Sequence, residues 1–551
     1  MAPQRDQWSS RTAFVMAAVG SAVGLGNVWR FPFICYDNGG GAFLIAFLIA
    51  LFTAGIPLMI LEFGLGHMMR SAAPTAFSKI NKSFEWLGWL AVLIGLMVMT
   101  YYGVVMGWCF NYLVHSFNLA WGTDPGAFFY KDFLQLSGGI GELGGVVWYI
   151  LIGLFLCWVS VFLCIYKGVE TVSKVIMITV PVPVLILIVF FVRGITLPGA
   201  IDGLKYFLTP DFNALLNPKV WLQAYGQVFF SLSIGFGVMI AYASFLPKKA
   251  DIANSAFMTS LADAGVSFLA GLAVFTTLGY LAQQVGKPVP EVLGGGPGLA
   301  FVTYPLIINH LPFAPALFGF LFFTLLLTLG IDSAFSLVEA GVAGAIDKWK
   351  YARLPVNLTV STILFVIGIL YTTKAGLYWL DIIDHYMTNF GLAFVGIMEC
   401  IVVGHVFGAK KLREHINSTS DFKIGYWWDF CILFLTPAIL FAMICLNLWD
   451  RINAPYEGYP AWAQIAGGWG LLGVVCVVAL LLTPRWKIVL SAIPGVVIAV
   501  FVYLLLGGVS LSVSAKVILS ITCTVIYGGL AYCIGVSAKA NKKYPESKKR
   551  P

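Results

Sequence analysis

The sequence predicts an all-α membrane protein that crosses the bilayer many times. Of its 551 residues, 60% are hydrophobic and only 11% are charged, against about 25% charged in a typical soluble domain. The apolar runs recur along the whole chain and reach the roughly 20 residues that a helix needs to cross a bilayer. A membrane β-barrel would instead show segments of about ten residues with alternating polarity, and the sequence lacks that pattern.

The apolar runs predict about fourteen membrane spans. They are residues 12–37, 41–69, 86–117, 146–166, 170–192, 220–246, 256–284, 314–346, 354–372, 378–408, 426–449, 462–483, 488–507 and 515–536. Lysine and arginine concentrate in alternate connections and in the tail "KKYPESKKRP". Because basic residues accumulate in cytoplasmic loops, both termini are predicted to be cytoplasmic.

The first span is interrupted. It contains "VGSAVGLGNVWRFP" at 19–32, in which each helix-interior glycine costs roughly 1 kcal/mol relative to alanine. Close packing through small residues explains many membrane glycines, but it does not require Asn27 and Arg30 beside them. Unwound backbone at membrane depth is tolerated where it faces protein or a watery cavity. Its free carbonyls and amides suit a cation and a carboxylate.

The sixth span carries a second interruption, "SLSIGFG" at 231–237. One broken helix opens spans 1–5 and the other opens spans 6–10, which is typical of a transporter built from two inverted repeats. The predicted organisation is a first five-helix repeat (1–193), an outer connecting loop (194–219), a second repeat (220–408), helices 11–12 (409–485), and two extra helices with a basic tail (486–551).

Two aspartates inside apolar spans are candidate cation ligands. Asp263 is near Ser260 and Ser267 in sequence, and Asp332 is near Thr328 and Ser333. Charge in the membrane is costly and indicates function. Hard cations prefer oxygen ligands, so bound sodium is predicted at both positions.

Several motifs in order carry a resemblance to the neurotransmitter:sodium symporter family, of the bacterial leucine and hydrophobic amino-acid transporter type. They are "GSAVGLGNVWRFP", "NGGGAF", "GIPLMILEFGLG", "YYG", "GQVFFSLSIGFG" and "LGIDSAFSLVE". The resemblance covers about residues 5–485. It implies a 5+5 inverted-repeat fold and sodium-coupled import of an amino acid by alternating access, without enzymatic activity. The implied location is the plasma membrane, which in bacteria is the inner membrane.

The resemblance implies two sodium sites and one substrate site. The first sodium ion would be held by the carbonyl of Ala22 and the side chains of Asn27, Ser231 and Asp263, and the second by the carbonyls of Gly20, Val23 and Leu329 with Asp332 and Ser333. The substrate carboxylate would meet the amides of Leu25 and Gly26 and the hydroxyl of Tyr102, and the ammonium would meet the carbonyls of Ala22, Phe230 and Ser231. The side-chain pocket would consist of Val98, Phe230, Ser233, Phe236, Ser333 and Leu337.

Gly24 bears on the substrate class. Members of the family that carry monoamines resemble this stretch but have an aspartate at this place, whereas glycine leaves room for a substrate that brings its own carboxylate. With an apolar pocket, this favours a neutral, hydrophobic amino acid such as leucine, methionine or alanine.

The resemblance also implies two gates. Arg30 and Asp384 would close the outer side above Phe230 and Tyr102. Arg5 and Asp347, with Trp8 packed alongside, would close the inner side.

Chloride is predicted not to be required. Gln227, Ser231 and Ser267 match the family's chloride ligands, but Phe47 stands where a tyrosine would be, and Asp263 where an asparagine would be. A fixed carboxylate supplies the negative charge and repels an anion a few ångströms away.

Other classes of function fit less well. No His/Cys constellation indicates a membrane enzyme. A sensor or a channel on the same scaffold, or a symporter for another small zwitterion, stays open. Besides the small-molecule substrate and the lipid bilayer, the sequence indicates no nucleic-acid partner and no obligatory protein partner.

Overall fold

The computed structural model describes residues 7–292 and 294–484. Within them the chain is helical apart from two isolated β-bridges, and short helical turns lie in the connections. In chain order, the helices are α1 (Arg11–Ala22), α2 (Leu25–Asp37), α3 (Gly41–Met69), α4 (Ala73–Ile80), α5 (Lys82–His115), α6 (Trp148–Ile165), α7 (Val169–Ile195), α8 (Ala200–Leu208), α9 (Pro218–Ser231), α10 (Val238–Ala243), α11 (Ile252–Val285), α12 (Leu299–His310), α13 (Pro315–Trp349), α14 (Arg353–Thr372), α15 (Gly376–Thr419), α16 (Tyr426–Gly458) and α17 (Ala461–Leu481).

Ten of these helices are long and apolar enough to cross a membrane, and α1 with α2 forms a further span bent by 51°. The predicted sixth span is divided between the shorter helices α9 and α10. The predicted spans at 488–507 and 515–536 lie outside the described residues, as does Arg5. The total of fourteen and the inverted repeat therefore stay predictions.

The first helix breaks where the sequence indicates. After Ala22 the backbone of Val23 and Gly24 is extended, and the Gly24 amide donates to the Asn27 side-chain oxygen at 2.8 Å. In a continuous helix that amide would bond to the Gly20 carbonyl. The Asn27 side chain thus takes the place of the Gly20 carbonyl as the acceptor for the Gly24 amide, and the Gly20 carbonyl is left without its helical partner.

The second break lies between α9 and α10. Gly235 and Gly237 have φ values of +80° and +72°, in the left-handed region that glycine adopts without a steric cost. The Gly235 amide donates to the carboxylate of Glu62 on α3 at 2.7 Å. A buried acidic side chain thereby replaces a helical hydrogen-bond partner.

The long helices α5, α11 and α13 surround the two breaks. α13 packs against α5 along its length, and α1 packs against both α11 and α13. Asp263 on α11 and Asp332 on α13 are consequently buried next to the unwound segments.

Candidate functional site

A cavity lies between the two breaks, in the middle of the bundle. All twelve predicted substrate-site residues line it, together with Ser21 and Asn27: they are Ala22, Gly24, Leu25, Gly26, Val98, Tyr102, Phe230, Ser231, Ser233, Phe236, Ser333 and Leu337. The residues come from α1, α2, α5, α9, α13 and the segment between α9 and α10. The fold thus brings together positions as far apart in the chain as Ser21 and Leu337.

The start of α2 gives this cavity hydrogen-bond donors. Leu25 and Gly26 are its first two residues, and the first amides of a helix have no partner within the helix. The buried Tyr102 hydroxyl lies next to the Leu25 amide and the Ser333 side chain, and it makes no hydrogen bond of good geometry among the described residues. It lies 3.5 Å from the position that a Cβ atom on Gly24 would take. These donors suit an anionic group.

The end of α1 gives acceptors. The break removes the helical partners of the carbonyls at Gly20, Ala22 and Val23, and the hydrogen bonds of the described residues include none that replaces them. These are the three α1 carbonyls that the sequence assigns to the two cations. Free carbonyl oxygens are suitable ligands for a hard cation.

A polar cluster, the Asp263 cluster, borders the cavity and consists of Asn27, Ser231, Asp263 and Ser267. The Asn27 side-chain nitrogen donates to Asp263 at 2.8 Å, to Ser267 at 2.7 Å and to Ser231 at 3.1 Å. The Ser231 hydroxyl donates to the Asp263 carboxylate at 2.8 Å. In this arrangement the Asn27 oxygen faces Gly24, so the amide has to turn before that oxygen could ligate an ion.

A second cavity lies on the other side of α1. Val19, Gly20, Val23, Thr179, Val180, Pro183, Val184, Val266, Leu329 and Asp332 line it. Four of the five residues assigned to the second sodium ion are present, and Ser333 is not. The Ser333 hydroxyl donates instead to the Ser21 carbonyl at 3.2 Å and faces the first cavity.

Thr179 on α7 was missed by the sequence reasoning. Its hydroxyl donates to Asp332 at 2.7 Å, whereas the expected neighbour Thr328 donates to Thr324 in its own helix. The sequence holds a weak signal for this contact, because Thr179 comes shortly before the two helix-breaking prolines at 181 and 183.

The predicted outer gate is not in ion-pair contact. Asp384 accepts a hydrogen bond from Tyr101 at 2.5 Å, and the Arg30 guanidinium lies 5.0 Å from the centre of the Phe230 ring. The ion pairs of the described residues do not include Arg30 with Asp384. Phe230 and Tyr102, the two residues predicted to lie beneath the gate, both line the cavity.

At the opposite end of the bundle, Trp8 is buried against α10. Its indole nitrogen donates to the Tyr242 carbonyl at 2.9 Å, and its backbone amide donates to the Phe245 carbonyl at 3.2 Å. Asp347 accepts from the Ala72 amide at 2.7 Å. The described part of the N-terminal segment is therefore anchored to α10 and the residues that follow it.

A helical membrane protein with two broken helices around a cavity rich in free backbone groups has the architecture of a secondary transporter. The sequence profile of the sodium:neurotransmitter symporter family matches residues 5–127 and 122–489. The chain belongs to this family, whose members are transporters and not enzymes.

Among its relatives is an uncharacterized sodium-dependent transporter of Methanocaldococcus jannaschii, 44% identical over 84% of this chain and 94% of the relative. The sodium- and chloride-dependent GABA transporter 2 of Homo sapiens is 35% identical over 88% of this chain and 86% of its own length. The sodium- and chloride-dependent taurine transporter of Rattus norvegicus is 33% identical over 86% and 84%. The protein is thus a multi-pass membrane protein of a sodium-dependent transport family.

Proposed function

We propose that this chain is a sodium-coupled symporter that imports a neutral, hydrophobic amino acid by alternating access. One observation carries the proposal: the amides of Leu25 and Gly26 at the start of α2 and the Tyr102 hydroxyl face the same cavity that the Asp263 cluster borders. A carboxylate bound to the amides would lie next to a cation in the cluster. Each charge offsets the desolvation of the other, which couples the two bindings.

The substrate is proposed to bring its own acidic group. A Cβ atom on Gly24 would lie 2.8 Å from the Ser333 hydroxyl oxygen, so a side chain at this position would have to displace that hydroxyl. The GABA, taurine and creatine transporters among the relatives are named for compounds that carry both an acidic and a basic group. This agrees with a zwitterionic substrate. The apolar walls formed by Val98, Phe236 and Leu337 favour an uncharged side chain.

Two sodium ions are proposed, one at each buried aspartate. The Asp263 cluster with the Ala22 carbonyl would hold the first. Asp332 with the free carbonyls of Gly20 and Val23 and the carbonyl of Leu329 would hold the second. Ser333 is left out of this set, because its hydroxyl faces the substrate cavity.

Chloride independence is proposed on the position of Asp263. Its carboxylate is fully buried within the Asp263 cluster, and Phe47 packs against Phe31 with ring centres 5.1 Å apart. A negative charge is thus built into the protein. Gln227 is the observation on the other side, since both of its side-chain polar atoms are buried without a partner among the described residues, and the GABA and taurine transporters are chloride-dependent by name.

Alternating access is proposed to use the two ends of the bundle. Arg30 and Asp384 would close the outer end over the cavity, and Trp8 and Asp347, with Arg5, would close the inner end. In this assignment both termini face the cytoplasm and the protein is in the plasma membrane.

The test is uptake by the purified full-length chain in proteoliposomes. With an inward sodium gradient, a labelled neutral amino acid should accumulate above its outside concentration, and without the gradient it should only equilibrate. A sensor would bind without accumulation, and a channel would stop at equilibrium. A panel that includes GABA and taurine with leucine, methionine and alanine decides between amino-acid transport and transport of another zwitterion.

A further inference from the structure

Four serines meet at one side of the substrate cavity. They are Ser21 at the end of α1, Ser233 between α9 and α10, and Ser333 and Ser336 on α13, and the first three line the cavity. We call them the serine group. The two broken helices and α13 come together at this group.

The hydroxyl hydrogens of the serine group are all used within the protein. Ser233 donates to the Ser21 carbonyl at 2.8 Å, and Ser333 donates to the same carbonyl at 3.2 Å. Ser336 donates to the Ser333 carbonyl at 2.9 Å. The Ser21 and Ser336 hydroxyls lie 2.8 Å apart and either one can donate; while Ser336 donates to the Ser333 carbonyl, Ser21 is the donor of this pair.

This arrangement fixes what the serines can offer to a ligand. A hydroxyl has one hydrogen and two lone pairs. With the Ser233 and Ser333 hydroxyls directed to the Ser21 carbonyl, lone pairs of Ser233 face the cavity, and the Ser333 oxygen also lies next to the Tyr102 hydroxyl. The neighbouring walls are Val98, Phe236 and Leu337, which have no polar side-chain atoms. The part of the cavity that would hold a substrate side chain thus accepts hydrogen bonds and does not donate them.

The backbone conformation of Ser233 indicates a functional contact of its side chain. Its φ is +53°, in the left-handed region, whereas the same break uses glycine at the other two positive-φ positions, 235 and 237. A side chain in this conformation is strained, and glycine avoids the cost. Retention of strain at a pocket residue points to a functional contact.

We propose that the serine group adds a preference, among the neutral amino acids that the apolar cavity admits, for those whose side chain also carries a hydrogen-bond donor. This inference rests on the proposed function of the cavity. An N–H or O–H on the substrate pairs with the Ser233 oxygen, and the Ser333 oxygen lies beside it. A purely aliphatic side chain of the same shape buries these lone pairs unpaired, which is unfavourable. Serine, not glycine, at position 233 is the determinant.

The test compares amino acids of the same shape with and without a donor. Threonine is paired with valine and homoserine with norvaline, and each competes for sodium-driven uptake of labelled alanine into proteoliposomes that hold the full-length protein. In at least one pair the donor-bearing member should inhibit about tenfold more strongly, the factor that corresponds to about 1.4 kcal/mol. Valine and norvaline that inhibit as well as or better than their partners would overturn the proposal.

Variants assign the effect to the serine. Ser233→Ala should bring the ratio in each pair to within about twofold of one, mainly through weaker inhibition by the donor-bearing member. Ser255→Ala is the matched control, because Ser255 is a buried serine on α11 whose hydroxyl bonds to the Asp251 carbonyl away from the cavity. Its ratios should equal those of the wild type.

Failure of this inference can be distinguished from failure of the proposed transport function. If Ser233→Ala does not accumulate alanine, Ser233→Gly replaces it, since glycine adopts the positive φ readily, and the same loss of selectivity is expected. An unchanged ratio in the substituted protein contradicts the inference. If the wild type accumulates no neutral amino acid at all, the proposed function itself fails.

Discussion

The two buried aspartates have very different surroundings. Asp263 accepts hydrogen bonds from Asn27 and Ser231 and belongs to a cluster that borders the substrate cavity. Asp332 has one side-chain donor among the described residues, Thr179, and otherwise faces a cavity with mainly apolar walls. The first carboxylate is thus partly satisfied within the protein, whereas the second has only one side-chain donor among the described residues to offset its charge.

This difference predicts that the second site is the more fragile one. A cluster with several hydrogen-bonded side chains keeps other ligands when one is lost. A site that consists of one carboxylate and a few backbone carbonyls has no substitute. Substitutions at the second site should therefore impair sodium-driven uptake more than substitutions at the first.

The largest effect is expected for Asp332→Asn. Removal of the charge should lower sodium-driven uptake by at least about a hundredfold, equivalent to ~2.8 kcal/mol, because no other charged side chain lines that cavity. The measurement is the initial rate of labelled amino-acid uptake in proteoliposomes. Asp202→Asn is the control, since Asp202 is an exposed residue on α8 paired with Lys205. Uptake at the wild-type rate in Asp332→Asn would remove this residue from the mechanism.

The next effect is expected for Gly20→Ala. A Cβ atom at position 20 would lie 2.7 Å from an Asp332 carboxylate oxygen and 2.8 Å from a Val180 methyl group, so the second cavity has to distort. We expect the sodium concentration for half-maximal uptake to rise by about ten- to a hundredfold. Gly265→Ala on α11 is the matched control, because its Cβ atom would meet no atom within 4 Å. Equal sodium dependence in both variants would contradict the placement of the second site.

The third prediction concerns Asp263→Asn. Wild-type uptake should be unchanged when gluconate replaces chloride. The variant lacks the built-in negative charge, so its uptake should fall about tenfold and recover partly with chloride, since the anion then meets no fixed carboxylate. The comparison of uptake in the two salts measures this. A marked loss of wild-type uptake in gluconate would show that transport requires chloride. Chloride independence would then be wrong, and the buried Gln227 amide would be the candidate ligand for the anion.

The sequence predicted both helix breaks because their signals are local. Glycines with an adjacent asparagine or serine are visible in one stretch of chain, and the physics of unwound backbone limits what such a stretch can do. The shared cavity followed from the family resemblance, which supplied residues from distant helices. The family and its sodium dependence are confirmed by the comparisons.

The contacts that the sequence did not reveal are those whose partners come from another helix. The hydroxyl of Ser333, a residue predicted to hold the second sodium ion, donates to the Ser21 carbonyl across the α1 break. Thr328 was a plausible neighbour of Asp332 by helical spacing, but a threonine on a helix readily bonds to its own backbone. Side-chain rotation and the approach of α7 are properties of the packed structure, so no single stretch of sequence reveals them.

The smallest predicted effect tests that missed contact. Thr179→Val keeps the shape of the side chain but removes the hydroxyl that donates to Asp332 at 2.7 Å. If Thr179 orients the carboxylate for a cation, the sodium concentration for half-maximal uptake should rise about tenfold, as when a residue that supports a metal ligand is lost. Thr179→Ser retains the hydroxyl and should stay close to the wild type. Asp263 has its own hydrogen-bond donors, so loss of the Thr179 hydroxyl should not affect it. An uptake defect of Thr179→Val that appears only at low sodium, and that is absent in Thr179→Ser, would therefore be assigned to the Asp332 carboxylate. Equal sodium dependence of the valine and serine variants would mean that the Asp332 carboxylate needs no donor from α7, and the contrast between the two aspartates would then be wrong.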